Sequence, residues 1–160
     1  SESQQAFMLA RLLLLCARKC HPVIKLAPRE LDVVFAAYAR NLIPNFGAGL
    51  TSEDLLDEQG RRLYKALSRR NRKAIEDTVQ RYAAQGGVDV VPWVESRERE
   101  ATRVAALICD DLKGALECMA RSRDTGATDN SEETTRDLYR FWVSDPALRA
   151  RKRAREFKPG

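Results

Sequence analysis

Pro28-Arg-Glu-Leu-Asp-Val-Val-Phe-Ala-Ala-Tyr-Ala-Arg-Asn-Leu-Ile43 carries the clearest period in the chain. Leu31, Val34, Phe35, Tyr38 and Leu42 fall at i, i+3, i+4, i+7 and i+11, which on a helix makes one apolar stripe. Pro28 suits a first helical turn, where its missing N–H costs nothing. Pro44 and Asn45-Phe-Gly-Ala-Gly49 end the segment. A helix with one apolar stripe needs other elements to cover it.

Those elements are legible on both sides. Gln4 to Lys19 reads as a helix whose apolar residues, Phe7 to Leu9 and Leu12 to Cys16, cover more than one face around Arg11. Such a helix is expected to be buried between others. Pro22 to Leu26 has room for a short strand or extended passage. Downstream, Thr51 offers an N-cap, and Glu53 and Asp54 favour the positive end of a helix dipole. Gly60 is expected to separate this helix from the next. Arg61 to Ala84 reads as one long helix or two abutting ones, closed by Gly86-Gly87. Pro92 opens a helix running to Ile108, and Asp110-Asp111 caps a further one containing Leu112, Leu116 and Met119. Arg123 to Asn130 is polar and expected to be a loop. Ser131-Glu-Glu-Thr134 is a helix start, and Asp145-Pro146 begins a last, basic helix. The chain is therefore expected to be mostly α. Residues 1–160 should form a single domain of about seven or eight helices, with at most one or two short strands and a basic end, 149–160, able to fray. No internal repeat of about 34 residues is present.

Composition narrows the function classes. Of 160 residues, 44% are apolar and 32% charged, which excludes a fully disordered chain and a collagen-like fibre. The longest apolar run, Val33 to Ala39, is far short of the ~20 residues that span a bilayer, so no membrane partner is expected. The opening Ser-Glu-Ser-Gln-Gln lacks the basic leader of a secretion signal. Cys16, Cys20, Cys109 and Cys118 form no CxxC pair and suit free thiols in a reducing compartment, so a cytoplasmic location is expected.

Catalytic constellations are scarce. Cys16 and Cys20 are spaced i, i+4 beside His21, but a metal site needs four converging ligands, and the chain has one His. The same count leaves no nucleophile–His–acid set that does not use His21. No phosphate- or dinucleotide-binding glycine motif and no HExxH occurs. Asp110-Asp111 and Glu132-Glu133 read as helix-cap chemistry. No catalytic residue, metal or cofactor is assigned.

Binding signals are stronger. Arg62, Lys65, Arg69 and Arg72 fall at i, i+3, i+7 and i+10, one face of a helix. Between Arg61 and Lys73 there are seven basic residues and no acidic one. Arg149, Arg151, Lys152, Arg153, Arg155 and Lys158 make a second basic stretch. Both suit phosphate contacts, which release counterions, or an acidic protein surface. Both also suit a solvated, ion-paired face. Tyr139, Phe141 and Trp142 cannot all face one way on a helix, so part of this cluster must meet a second surface, in this chain or in a partner.

Two resemblances bear on function. Arg103 to Met119 and Arg136 to Arg149 resemble the C-terminal region of large tetratricopeptide-repeat proteins of myxobacterial type. The matching positions include Ala106, Leu107, Cys109, Asp111, Leu112, Ala115, Asp137, Leu138, Phe141, Val143, Ser144, Leu148 and Arg149. Pro22 to Leu26 with Glu30 to Asn41 is similar to the strand and zinc helix of HExxH-type metallopeptidases. There Ala37 and Asn41 stand where the two His would be, and Tyr38 where the Glu would be. That second resemblance implies a scaffold without its metal or general base. Together they imply a non-catalytic helical domain for protein–protein interaction within a longer repeat-containing bacterial protein. Its partner would be another protein or a neighbouring domain, and exposed charge and surplus aromatics make Arg62, Lys65, Arg69, Arg72, Tyr139, Trp142, Arg149, Lys152 and Arg153 the candidate contacts. The alternative is a nucleic-acid-binding module using the same basic surfaces.

Overall fold

The computed structural model describes residues 1–123 and 131–156. These form eight α-helices, one short 3-10 helix and, among the described residues, no strand. In chain order they are α1 (Glu2–Ala17), the 3-10 helix (His21–Ile24), α2 (Pro28–Ala39), α3 (Glu53–Ala66), α4 (Arg69–Ala84), α5 (Val90–Cys109), α6 (Leu112–Arg123), α7 (Ser131–Trp142) and α8 (Asp145–Glu156). The mostly α expectation holds. Pro22 to Leu26, read as room for a strand, is instead occupied by the 3-10 turn. The expected loop to Asn130 lies, after Arg123 itself, outside the described residues, as does Lys158.

The chain packs as two compact units, divided within α5. One comprises Ser1–Ile24 and the residues from Glu95 onward, the other Lys25–Val94. In the first unit, Phe7 and Ala10 of α1, Ala105 and Ala106 of α5, Ala115 and Cys118 of α6 and Leu138 of α7 form the core. Alanines at these crossings let helix backbones approach closely. Phe141 and Trp142 pack partly buried against the same core. Asp111 sets the start of α6 as expected: its Oδ1 accepts from the Gly114 N–H at 2.9 Å, and its Oδ2 accepts from the Ser3 hydroxyl of α1 at 2.7 Å. Across the unit, Arg103 of α5 grips the Asp137 carboxylate of α7 through two bonds, at 2.9 and 2.5 Å.

In the second unit, Ala36, Ala37 and Leu56 form the core, with Val33, Phe46 and Leu63 against them. Gly60 does not separate two helices. It is buried inside α3, where a Cβ would stand 2.5 Å from the Ala37 carbonyl oxygen of α2. The glycine is there so that two helix backbones can touch. Asn41 seals the contact: its amide Nδ2 donates to the Gly60 carbonyl at 3.0 Å and to the Tyr38 carbonyl at 3.0 Å. That capping also ends α2 at Ala39, before the expected Ile43. Asn41 and Leu42 close tighter i→i−3 bonds to Tyr38 and Ala39. The cap of α3 is Ser52 rather than Thr51; its hydroxyl accepts from the Leu55 N–H. Tyr82 of α4 packs edge-on against Phe35 of α2, with ring centroids 6.2 Å apart, and lies 5.5 Å from Phe46.

Candidate interaction surfaces

The basic stripe is the first candidate, and the helix beneath it is not continuous. α3 stops at Leu67, whose ψ of 135° is extended, and Ser68 starts α4 by accepting from the Asn71 N–H at 3.2 Å. Arg62 and Lys65 therefore belong to α3, and Arg69 and Arg72 to α4, so the one-face reading of the four does not hold. Two of them are also occupied. Arg62 pairs with Glu58 one turn before it. Arg72 lays its guanidinium 4.2 Å over the Tyr64 ring and donates from Nη1 to the Tyr64 carbonyl at 2.9 Å. That contact staples the α3–α4 corner. Lys65 and Arg69 are exposed and make no ion pair among the described residues.

The second candidate, the α7–α8 hairpin, belongs to the other unit. Its cations divide by helix face. Arg151 stacks 4.0 Å over the Trp142 ring and donates from Nη2 to the Trp142 carbonyl at 3.0 Å. Arg155 reaches the Asp110 carboxylate at 2.8 Å. These two hold α8 to the fold. Arg149, Lys152 and Arg153 stand at i, i+3 and i+4 on the outward side, exposed and without an ion pair among the described residues. The aromatic cluster divides in the same way. Leu138 is fully buried and Trp142 half-buried under Arg151, while Tyr139 and Val143 are exposed. Of the nine residues nominated from the sequence, then, Lys65, Arg69, Tyr139, Arg149, Lys152 and Arg153 are exposed, and the five cations among them form no ion pair among the described residues. Arg62, Arg72 and Trp142 have intramolecular duties.

The third surface was not anticipated. α1 was expected to be buried on most sides, because its apolar residues run around it. Only one side is covered, with Phe7, Ala10 and Leu15 turned inward. On the opposite side Leu9 is 59% and Leu13 66% exposed, with Met8 at 37% and Leu12 at 39%. One end of this face borders an open groove of about 680 Å³ lined by Gln4, Gln5, Met8, Leu9, Cys118 of α6 and Arg121. The sequence signal was present in the run Leu12 to Cys16. Composition alone does not say whether a second apolar face is packed or left for a partner.

The thiol constellation comes apart. α1 ends at Ala17 and Lys19 takes a left-handed φ of 57°, so Cys20 is not on the helix that carries Cys16. No disulfide joins the four cysteines; Cys20 and Cys118 are buried and Cys16 exposed. Burial pushes the Cys109 and Cys118 thiols up, away from the thiolate. Among the described residues no three His, Cys, Asp or Glu side chains converge on a possible metal position. Likewise, none of the described helices is long and apolar enough to cross a membrane. The three positions of the metallopeptidase resemblance serve packing or the corner of the second unit: Ala37 is fully buried against Gly60, Asn41 caps α2, and Tyr38 is half-buried. No protein-family model, curated protein or solved structure matches the chain.

Proposed function

We propose that this chain is a non-catalytic helical domain whose work is protein–protein interaction. The observation that carries the reading is the outward face of α1. Four large apolar side chains, Met8, Leu9, Leu12 and Leu13, stand in water on one helix side while the opposite side is packed. Contiguous exposed apolar area of this kind marks interaction sites more than it marks solvated surface. The resemblance of Arg103 to Arg149 to C-terminal regions of tetratricopeptide-repeat proteins supports the same reading. It suggests a bacterial setting in which the partner is another protein or a neighbouring domain, and cysteines without a disulfide suit a cytoplasmic one. The test is capture of partners on the immobilised chain, quantified against Leu9→Glu/Leu13→Glu. Partners specific to this surface should fall at least about 10-fold on the double variant. An unchanged set would remove α1 from the argument.

A nucleic-acid-binding reading has its own observation: Lys65, Arg69, Arg149, Lys152 and Arg153 are exposed and unpaired among the described residues. Fluorescence anisotropy on mixed-sequence oligonucleotides separates the two readings. A phosphate binder should lose about 10³ in affinity between about 50 and 200 mM salt if about six phosphates are contacted. Absence of binding at the lower salt would leave the protein-interaction reading in front.

A further inference from the structure

We propose that the outward face of α1 pairs with the same face of a second copy of this chain, antiparallel about a two-fold axis. The proposal rests on the protein-interaction reading and names its partner. Gln5, Leu9, Leu12 and Cys16 stand at i, i+4, i+7 and i+11, a single line along the exposed side of the helix. Met8 and Leu13 flank that line, and all six are exposed. No charge interrupts them, because Arg11, between Leu9 and Leu12 in sequence, turns to the other side and meets Glu98 at 3.6 Å.

The ends of the face carry opposite charges. Glu2 stands at the start, one helical line with Leu9 and Leu13, and Lys19 follows the end; both are exposed. Neither forms an ion pair among the described residues. One antiparallel register brings the line together: Leu9 faces Leu12 of the second copy and Gln5 faces its Cys16, with Met8 and Leu13 bordering the seam on opposite flanks. The end that carries Glu2 then lies beside the end that carries Lys19 of the second copy. A parallel pairing would instead set Glu2 against Glu2 and Lys19 against Lys19. An isologous interface has to be self-complementary, and this face is so in both shape class and charge. The antiparallel arrangement also sets the two helix dipoles head to tail.

Sedimentation equilibrium on the wild-type chain, from about 1 to 200 µM, should show monomer–dimer exchange with a Kd in the micromolar range proper to a small interface. Leu9→Glu/Leu13→Glu should weaken it by about 100-fold or more without changing the far-ultraviolet spectrum, since both side chains are already in water. Register is read separately. Under mild oxidation Gln5→Cys should give a covalent dimer through Cys16 of the other copy, abolished by Cys16→Ser. The wild type should give none, because the two Cys16 lie well beyond the ~7 Å Cα separation that a disulfide tolerates. A wild-type chain that stays monomeric at about 200 µM overturns the proposal. So does a dimer that survives Leu9→Glu/Leu13→Glu, or a Gln5→Cys chain that fails to cross-link. If the chain is monomeric yet captures partners that Leu9→Glu/Leu13→Glu loses, the self-pairing falls and the wider interaction reading stands. If capture too ignores that variant, both fall.

Discussion

Gly60 holds α2 and α3 together by what it lacks. A methyl group there meets a backbone carbonyl oxygen at 2.5 Å, and a backbone atom in a packed helix cannot swing aside as a side chain does. Gly60→Ala would normally gain helix propensity, about 1 kcal/mol. Here the clash should win, with a net loss of about 1–3 kcal/mol in urea unfolding and a shift of the Asn41 amide resonances. Asp111 offers a second single-residue test with a sign in pH. The Gly114 N–H, and then the Ser3 hydroxyl, hold its carboxyl below the usual carboxylate range. A group whose folded value is depressed contributes stability above its unfolded value, and loses it as pH falls through the folded one. Asp111→Ala should therefore lower Tm by about 3 °C at neutral pH. The gap to wild type should close as pH drops below about 4, where the unfolded-state carboxyl begins to protonate. A gap that is constant in pH would mean that the charge plays no part in the cap.

At the scale of elements, the two basic stretches make different predictions because their cations are differently employed. Arg149, Lys152 and Arg153 are exposed and form no ion pair among the described residues, so Arg149→Glu/Lys152→Glu/Arg153→Glu should leave Tm within about 2 °C of wild type. If nucleic acid is bound, the same variant should reduce the slope of log affinity against log salt by about three. Arg72→Glu is the contrast. It removes the stacking on Tyr64 and the bond to its carbonyl, so it should destabilise the α3–α4 corner by about 1 kcal/mol whether or not any ligand binds. Such asymmetry is invisible in a charge pattern. Helix identity was readable wherever a period or a cap signal repeated itself, as in the Leu31 to Leu42 stripe, at Asp111 and at Ser131. It failed where one local signal was weighed without its neighbour in space. Arg61 to Ala84 was compatible with one long helix or with two abutting ones, and the Ser68 hydroxyl, which accepts from the Asn71 N–H, decides for two and divides the basic stripe. Gly60 looked like punctuation because nothing in the sequence records that Ala37 lies against it. α1 looked buried because the same leucines serve equally well for packing on two sides or for packing on one and docking on the other.

At the scale of the whole molecule, the apolar residues do not gather around one centre. Leu138 is fully buried with Phe7, Ala10, Ala106 and Ala115 in one unit, and Leu56 is fully buried with Ala36 and Ala37 in the other. Among the described residues the second unit buries the side chains of Leu31, Leu56, Val90 and Val94 and otherwise only alanines, with α4 burying Ala83 alone, whereas the first buries Phe7, Leu15, Val23 and Leu138, so less apolar area offsets the chain entropy in the second. Opening of α2, α3 and α4 should therefore need less free energy than opening of α1, α6 and α7. Hydrogen exchange should show the second unit's helices exchanging first. Core truncations should sharpen the distinction, each costing about 2–5 kcal/mol where it is made. Leu56→Ala should speed exchange in α2 and α3 while leaving α1, α6 and α7 near their wild-type rates. Leu138→Ala should speed exchange throughout α1, α6 and α7. Uniform acceleration of every helix by Leu56→Ala would mean that the two cores unfold as one, and that α5, which runs through the division at Val94 and Glu95, couples them tightly. Acceleration confined to α2 and α3 would mean that α1 keeps its packed side, and with it the geometry of its exposed one, when the smaller unit opens.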